Sequence, residues 1–348
     1  MKLQSLQTGR AVACLLVLVP HLGGIITELC GIDKFGWMVS GYTGLNYFFV
    51  LSGFIIFYAH SGDISVPSQW LPYAKKRFIR IYPIYWVLLI IILSKRILFA
   101  DKAETKILSL YSWVATFLLL PQVRNNAVAS PVLGVAWTLE YEIIFYFYFL
   151  VLILNKKVGI VIGVAVILLH FCDFIYISTP YLLFIQQPYL IIFSFGVFAA
   201  WITGYEIAPS IYIPLGLLGG GIVTLLSIKE SIECIKQNSM SHQLIFGIGF
   251  GLIVIFLVCM EKNGVIIGAN KIFQLLGAAS YSIYLVHIPL FWMIVSFLIK
   301  THTGAYIISS FLIPVFIIIV LIGVASGIGL HFFVEKPLIL FFRKRLHV

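Results

Sequence analysis

Residues 11–29 read AVACLLVLVPHLGGIITEL. A transmembrane helix needs about 20 consecutive apolar residues, so this run is long enough to cross a bilayer. Basic residues precede it, as in a secretory signal peptide, but no small-x-small cleavage pattern follows and His21 interrupts the run. The sequence therefore predicts a retained membrane-spanning helix.

Further apolar runs follow along the chain. They lie near 41–59, 82–99, 133–154, 158–177, 181–203, 211–228, 243–260, 272–299 and 305–331. The chain of 348 residues is 61% hydrophobic and only 10% charged, whereas soluble domains carry about 25% charged residues. We predict an all-α polytopic membrane protein with about ten transmembrane helices. The loops are too short for a separate soluble domain, so we expect one transmembrane domain over residues 1–348.

The basic residues predict the orientation of the chain. A net charge of +10 could indicate nucleic-acid binding, but these residues lie in short loops beside apolar runs, where they set topology and contact anionic lipids. A cytoplasmic N-terminus places most Lys and Arg inside only if the short run 107–120 does not cross. We therefore predict two cytoplasmic termini, a re-entrant or interfacial segment at 107–120, and no nucleic-acid partner. The scattered cysteines show no metal-ligand spacing, so no metal site is expected.

Arg10 and His21 lie on one helix face. They are eleven residues apart, which is about 20° beyond three full helical turns and a rise of about 16 Å. His21 is therefore predicted near the middle of the membrane, above an arginine at the cytoplasmic end. Ionisable groups at that depth indicate function, and a neutral imidazole can transfer a proton or attack a carbonyl carbon. The alternative is a helix–helix hydrogen bond.

A basic cluster precedes the third apolar run. Arg77 and Arg80 share a helix face at i, i+3. Such a cytoplasmic cluster usually sets topology and binds lipid headgroups. Paired arginines also have the chemistry to bind phosphates, so both interpretations stay open.

The fourth run begins with two carboxylates, Glu140 and Glu142. They are about 200° apart on a helix, so they cannot serve one site together. A buried carboxyl group there could act as a general acid or base. Two other patterns favour helix packing, with a functional alternative: Ser52-Gly53 in the second run, and a polar stripe formed by Ser280, Tyr284 and His287 in the ninth.

Together these segments resemble the acyltransferase-3 family of integral membrane acyltransferases. The matching segments are Arg10-x10-His21, FFVLSGF at 48–54, RFIRIYP at 77–83, WTLEYEIIFY at 137–146, SYSIYLVH at 280–287 and HFFVEKP at 331–337. They occur in the family's order over nearly the whole chain. The family often has a small polar residue at the position of Glu140 and an acidic one at that of Ile143, so the matched carboxylate is Glu142.

The resemblance implies an acyl transfer, commonly of acetyl from acetyl-CoA to sugars of surface polysaccharides or their lipid-linked precursors. By position, His21 becomes the catalytic centre as nucleophile or base, and Glu142 a second catalytic residue working from the outer half. Arg10, Arg77 and Arg80 become contacts for the acyl donor. The implied partners are acyl-CoA as donor substrate, a glycan or lipid-linked saccharide as acceptor, and membrane lipids, with no tightly bound cofactor. The implied location is the bacterial inner membrane.

Two questions stay open at the level of sequence. An acyl-His21 intermediate and direct transfer with His21 as base fit equally well. The rival function is a transporter or flippase of lipid-linked sugars that uses His21 and Glu142 as a polar relay. Transporters often carry inverted repeats, and we see no internal repeat here.

Overall fold

The computed structural model of the chain describes residues 3–99, 110–124, 127–171, 184–234 and 239–347. Its α-helices are α1 (Gln4–Cys30), α2 (Gly44–His60), α3 (Trp70–Phe99), α4 (Leu110–Leu118), α5 (Trp137–Leu154), α6 (Lys156–Phe171), α7 (Tyr189–Ile202), α8 (Pro209–Glu233), α9 (Met240–Lys262), α10 (Lys271–Ile299), α11 (His302–Ser310), α12 (Leu312–Leu330) and α13 (Lys336–Leu346). A short hairpin pairs β1 (Gln122–Arg124) with β2 (Ala127–Ala129) in antiparallel register.

The all-α membrane architecture is confirmed. Within the described ranges, 8 helical segments are long and apolar enough to cross a membrane: Gln4–Cys30, Gly36–Asp63, Pro67–Ser94, Gly134–Leu154, Pro209–Glu233, Met240–Lys262, Lys271–Ile299 and Leu312–Leu346. The two other predicted spans correspond to α6 and to the shorter apolar helix α7, and parts of both runs, 172–177 and 181–183, lie outside the described residues. The total of ten, the orientation and the single domain stay predictions.

The described chain packs as two units, each built from two separate stretches. The first contains Met1–Ala59 and Ile191–His331, and the second contains His60–Leu190 and Phe332–Val348.

In the first unit, α1 packs in parallel along α10. A Cβ atom on Gly277 would lie 2.1 Å from the Gln7 carbonyl oxygen, so the two backbones are in direct contact there. The apolar side chains of both helices form a buried core with α12. The first turn of α1 is capped from α9, because the Glu261 carboxylate accepts hydrogen bonds of 2.8 Å from the backbone N–H groups of Gln4 and Ser5. A buried carboxylate thereby pairs with the donors that every helix start leaves unsatisfied.

A second close contact joins α2 to α7. A Cβ atom on Gly53 would lie 2.0 Å from the Phe193 carbonyl oxygen, and one on Gly196 would lie 1.8 Å from the Val50 carbonyl oxygen. Small residues allow helices in a membrane to approach closely. The packing interpretation of Ser52-Gly53 is therefore confirmed.

In the second unit, three side chains of α3 hold the end of α4. Tyr85, Trp86 and Tyr82 donate hydrogen bonds to the consecutive carbonyl oxygens of residues 116, 117 and 118, at 2.6, 2.9 and 2.9 Å. The nine described residues of α4 span about 14 Å, roughly half of the hydrocarbon thickness. The chain then turns into the β-hairpin. The re-entrant or interfacial segment at 107–120 stays a prediction, because residues 107–109 lie outside the described ranges.

The glycine contact between α2 and α7 predicts a stability difference between matched variants. Gly53→Ala and Gly196→Ala force the two backbones apart, so we expect each to destabilise the protein by about 1–3 kcal/mol, in the range of overpacked cores. Gly220→Ala is the matched control, because nothing lies within 4 Å of its added methyl group. Thermal unfolding in detergent measures the difference. Equal melting temperatures for the three variants would contradict the contact.

Candidate active site

His21 lies on α1 beside a second histidine, His287 of α10. The Nδ1 atom of His21 is 3.2 Å from Nε2 of His287 and 2.8 Å from the Val17 carbonyl oxygen. The Tyr42 ring packs edge-on against His21, with 4.8 Å between ring centroids. His287 is fully buried. The structure therefore surrounds the predicted catalytic centre with groups that fix the plane of its ring.

The hydrogen bonds assign the proton positions of the histidine pair. The Nδ1 atom of His287 lies 2.6 Å from the Tyr284 carbonyl oxygen, which can only accept, so Nδ1 carries the proton and Nε2 accepts. The Nδ1 atom of His21 must then donate, both to Val17 and to His287. In neutral His21 the lone pair is therefore on Nε2. Nε2 is the atom that can take a proton or attack a carbonyl carbon.

Arg10 contacts the same face of α10, two turns before His287. Its Nη2 atom donates to the Ser280 hydroxyl at 2.9 Å, and its Nη1 atom donates to Gln7 at 3.3 Å. The polar stripe predicted on α10 thus lies against the face of α1 that carries Arg10 and His21. Arg10 and His21 are eleven residues apart on α1, whereas their partners Ser280 and His287 are seven residues apart on α10. The long arginine side chain spans this difference along the helix axis.

The other predicted site residues lie in the second unit. The guanidinium of Arg77 lies over the Tyr73 and Tyr146 rings, 5.8 and 5.6 Å from their centroids. Its Nε atom is buried and has no hydrogen-bond partner. Cation–π contacts of this kind hold the guanidinium in place without using its N–H donors. The guanidinium of Arg77 is therefore held in place while its Nε–H group makes no hydrogen bond.

A His–Asp pair orients the same arginine. His60 Nδ1 is 2.7 Å from the Asp63 carboxylate, and His60 Nε2 is 3.4 Å from the Arg77 Nη2 atom. Asp63 fixes the proton on Nδ1, so Nε2 can accept from the arginine. Sequence reasoning missed His60 and Asp63. Their i, i+3 spacing at the end of an apolar run was the available signal.

Glu142 joins the arginine cluster through Tyr146. The Tyr146 hydroxyl donates to the Glu142 carboxylate, and the Tyr146 ring lies beneath Arg77. The sequence predicts that Glu142 works apart from the arginines, in the outer half. The structure instead brings Glu142 and Arg77 together, because residues 142 and 146 are one helical turn apart on α5.

Arg80 forms an ion pair of 2.8 Å with Glu335, whose carboxylate is 1% exposed. A buried carboxylate without its partner is strongly destabilising, so this arginine has a structural task whether or not it also contacts a donor. Arg77 is thus the better placed of the two predicted donor contacts. Arg10 and His21 belong to the first unit, and Arg77, Arg80 and Glu142 to the second.

Comparisons with known proteins identify the family of the chain. The family described as "Acyltransferase domain", acyltransferase family 3, matches residues 3–330. The exopolysaccharide production protein ExoZ of Rhizobium meliloti (strain 1021) is 26% identical over 309 residues, which cover 86% of this chain and 90% of that protein. No solved structure matches. The chain belongs to the acyltransferase-3 family of membrane acyltransferases.

Proposed function

We propose that this acyltransferase moves an acyl group, acetyl in the simplest case, from cytoplasmic acyl-CoA to a sugar hydroxyl of a surface polysaccharide or its lipid-linked precursor. The observation that carries the proposal is the histidine pair on α1 and α10, in which His287 is buried. It leaves the Nε2 lone pair of His21 as a base or nucleophile at mid-helix. The relative from Rhizobium meliloti, named for exopolysaccharide production, supports a polysaccharide acceptor. Family membership favours an enzyme over a transporter or flippase.

His21 can act by either of two routes. As a base, its Nε2 takes the proton of the acceptor hydroxyl while that oxygen attacks the thioester carbonyl carbon, and CoA leaves as a thiolate that receives the proton. As a nucleophile, Nε2 attacks the thioester carbonyl carbon and CoA leaves as a thiolate. The acceptor hydroxyl then attacks the resulting acyl-imidazolium, the bond to Nε2 breaks, and the hydroxyl proton passes to the thiolate. In both routes His287 accepts from Nδ1–H and stabilises the positive charge that develops on the His21 ring.

Arginines are well suited to the donor because CoA carries several phosphates. Arg77 is held by two aromatic rings and His60, and its buried Nε atom is without a partner. Arg10 lies on the face of α1 that carries His21. We propose each of them as a contact for the acyl donor. Arg80, on the same helix as Arg77, is a third proposed contact and pairs with Glu335. Glu142 orients Tyr146 beneath Arg77, which gives it a role in the same cluster.

His21→Ala tests the catalytic assignment. We expect loss of transfer to background, at least about 100-fold, because general acid–base catalysis alone contributes that much. Labelled acetyl-CoA and mass spectrometry of surface glycans give the readout, and size-exclusion profiles check folding. Unchanged acylation by His21→Ala would reject the assignment.

A single-turnover experiment with wild-type protein and labelled acetyl-CoA separates the two routes, since only the nucleophilic route attaches the label to the protein.

His287→Gln tests the pairing of the two histidines. Glutamine keeps a hydrogen-bonding side chain but does not share charge with an imidazolium, so we expect kcat to fall about tenfold or more while the KM for acetyl-CoA stays constant. His287→Ala should be worse, because it also leaves a cavity in the core. A changed KM with unchanged kcat in His287→Gln would place His287 in donor binding instead.

Arg77→Lys tests the donor contact. Lysine keeps the charge but loses the planar fork and the stacking on Tyr73 and Tyr146, so the KM for acetyl-CoA should rise about tenfold while the KM for the acceptor is unaffected. Lys157→Gln, an exposed cationic residue of α6, is the matched control. An equal response of the two variants would remove Arg77 from the donor site.

A further inference from the structure

The first turn of α5 buries a carboxylate that the acyl-transfer chemistry does not use. Glu140 is 2% exposed, and its Oε2 atom is buried without a hydrogen-bond partner. Among the described residues, the ion pairs of Lys, Arg and His all involve other carboxylates. Burying a carboxylate without a partner is expensive. A buried carboxyl group can avoid this cost by taking a proton, and in either form it can hydrogen-bond to a hydroxyl group of a ligand.

Two tyrosines that interact electrostatically with Glu140, Tyr85 and Tyr141, donate their hydroxyl hydrogens to backbone carbonyl groups. The Tyr85 hydroxyl donates to the Thr116 carbonyl oxygen at 2.6 Å, and the Tyr141 hydroxyl donates to the Phe184 carbonyl oxygen at 3.1 Å. Neither hydroxyl therefore pairs with the Oε2 atom of Glu140, which can accept a hydrogen bond from a ligand. A phosphate is excluded because two anions repel. A metal is disfavoured because the described part of the chain groups no three His, Cys, Asp or Glu side chains that could hold one.

An aromatic cluster lies on the same turn of α5. Trp137 is three residues before Glu140 and so shares its helix face. The Trp137 and Tyr189 rings lie 5.1 Å apart, and Tyr189 lies 5.0 Å from Tyr141, which stacks on Phe184. Trp137 and Tyr189 are half-buried, while Tyr141 and Phe184 are buried. The partly accessible rings of Trp137 and Tyr189 thus pack beside the buried ring of Tyr141, which stacks on Phe184.

We propose that the first turn of α5 is a saccharide-binding site for the acceptor. Glu140 accepts hydrogen bonds from sugar hydroxyls, and Trp137 and Tyr189 pack against the apolar C–H face of a pyranose ring. A carboxyl group on the same helix turn as half-buried aromatic rings has the chemistry to bind a neutral, hydroxyl-rich ligand. The proposal rests on the proposed function, since it gives that reaction its acceptor subsite. It also uses the end of α5 that the charge distribution predicts to face outward.

The test uses polysaccharide purified from a strain that lacks this protein, because that material is the unmodified acceptor. The full chain in nanodiscs is titrated with this polysaccharide at saturating labelled acetyl-CoA, and then with acetyl-CoA at saturating polysaccharide. We expect Glu140→Gln to raise the KM for polysaccharide about tenfold or more, the loss for a charge-assisted hydrogen bond. The KM for acetyl-CoA should not change. The melting temperature should stay equal or rise, because glutamine has nearly the same size as glutamate and cannot carry a buried charge.

Matched variants separate this site from a structural role. Tyr189→Leu should raise the KM for polysaccharide while Tyr189→Phe, which keeps the ring, should not. Glu206→Gln, at an exposed position, should behave as wild type. A Glu140→Gln protein that keeps the wild-type KM for polysaccharide, raises both KM values equally, or loses only kcat would overturn the proposal.

A binding measurement keeps this proposal distinct from the proposed function. Polysaccharide binding to wild type and Glu140→Gln is measured by biolayer interferometry without acetyl-CoA. Absence of transfer by wild type would reject the proposed function. If wild type then still binds and Glu140→Gln binds about tenfold more weakly, the saccharide site stands. Equal binding by both proteins, or none by wild type, would overturn the site.

Discussion

The parallel contact between α1 and α10 is the constraint on which the histidine pair depends. Gly277 lets the α10 backbone touch the α1 backbone at Gln7, and the shared apolar core continues the contact toward the other end. Because the helices run in the same direction, residues spaced along one face of α1 meet residues in the same order on α10. Arg10 donates a hydrogen bond to Ser280, and His21 lies within hydrogen-bond distance of His287. The chemistry of the site thus follows from helix packing.

Helix periodicity predicted the parts of the site that lie on one helix. The shared face of Arg10 and His21, the stripe through Ser280 and His287, and the opposed directions of Glu140 and Glu142 all follow from 100° per residue. The packing of Ser52-Gly53 was predictable from residue size, because small residues let helices in a membrane approach closely. A single sequence does not show which helix faces pack against each other. The role of His287 therefore stayed undefined, although its motif was visible.

The contacts missed from sequence are those between distant segments or those that need side-chain geometry. The cap on α1 comes from Glu261, more than 250 residues away, and a carboxylate at the end of an apolar run resembles any interfacial charge. The connection between Glu142 and Arg77 through Tyr146 joins two helices, so the sequence of one helix does not contain it. These four glutamates differ in their partners. Glu261 caps a helix, Glu335 pairs with Arg80, and Glu142 accepts a hydrogen bond from Tyr146. Glu140 has a buried oxygen atom without a hydrogen-bond partner.

The distance in sequence between α1 and α10 affects how the enzyme is made. A membrane protein is synthesised from its N-terminus, and its early segments are in place long before the late ones. His21 and His287 are separated by 266 residues, so α1 holds its arginine and histidine in the membrane without their α10 partners during most of synthesis. The histidine pair is completed only when α10 arrives. Nascent or C-terminally truncated chains that lack α10 therefore cannot form the histidine pair.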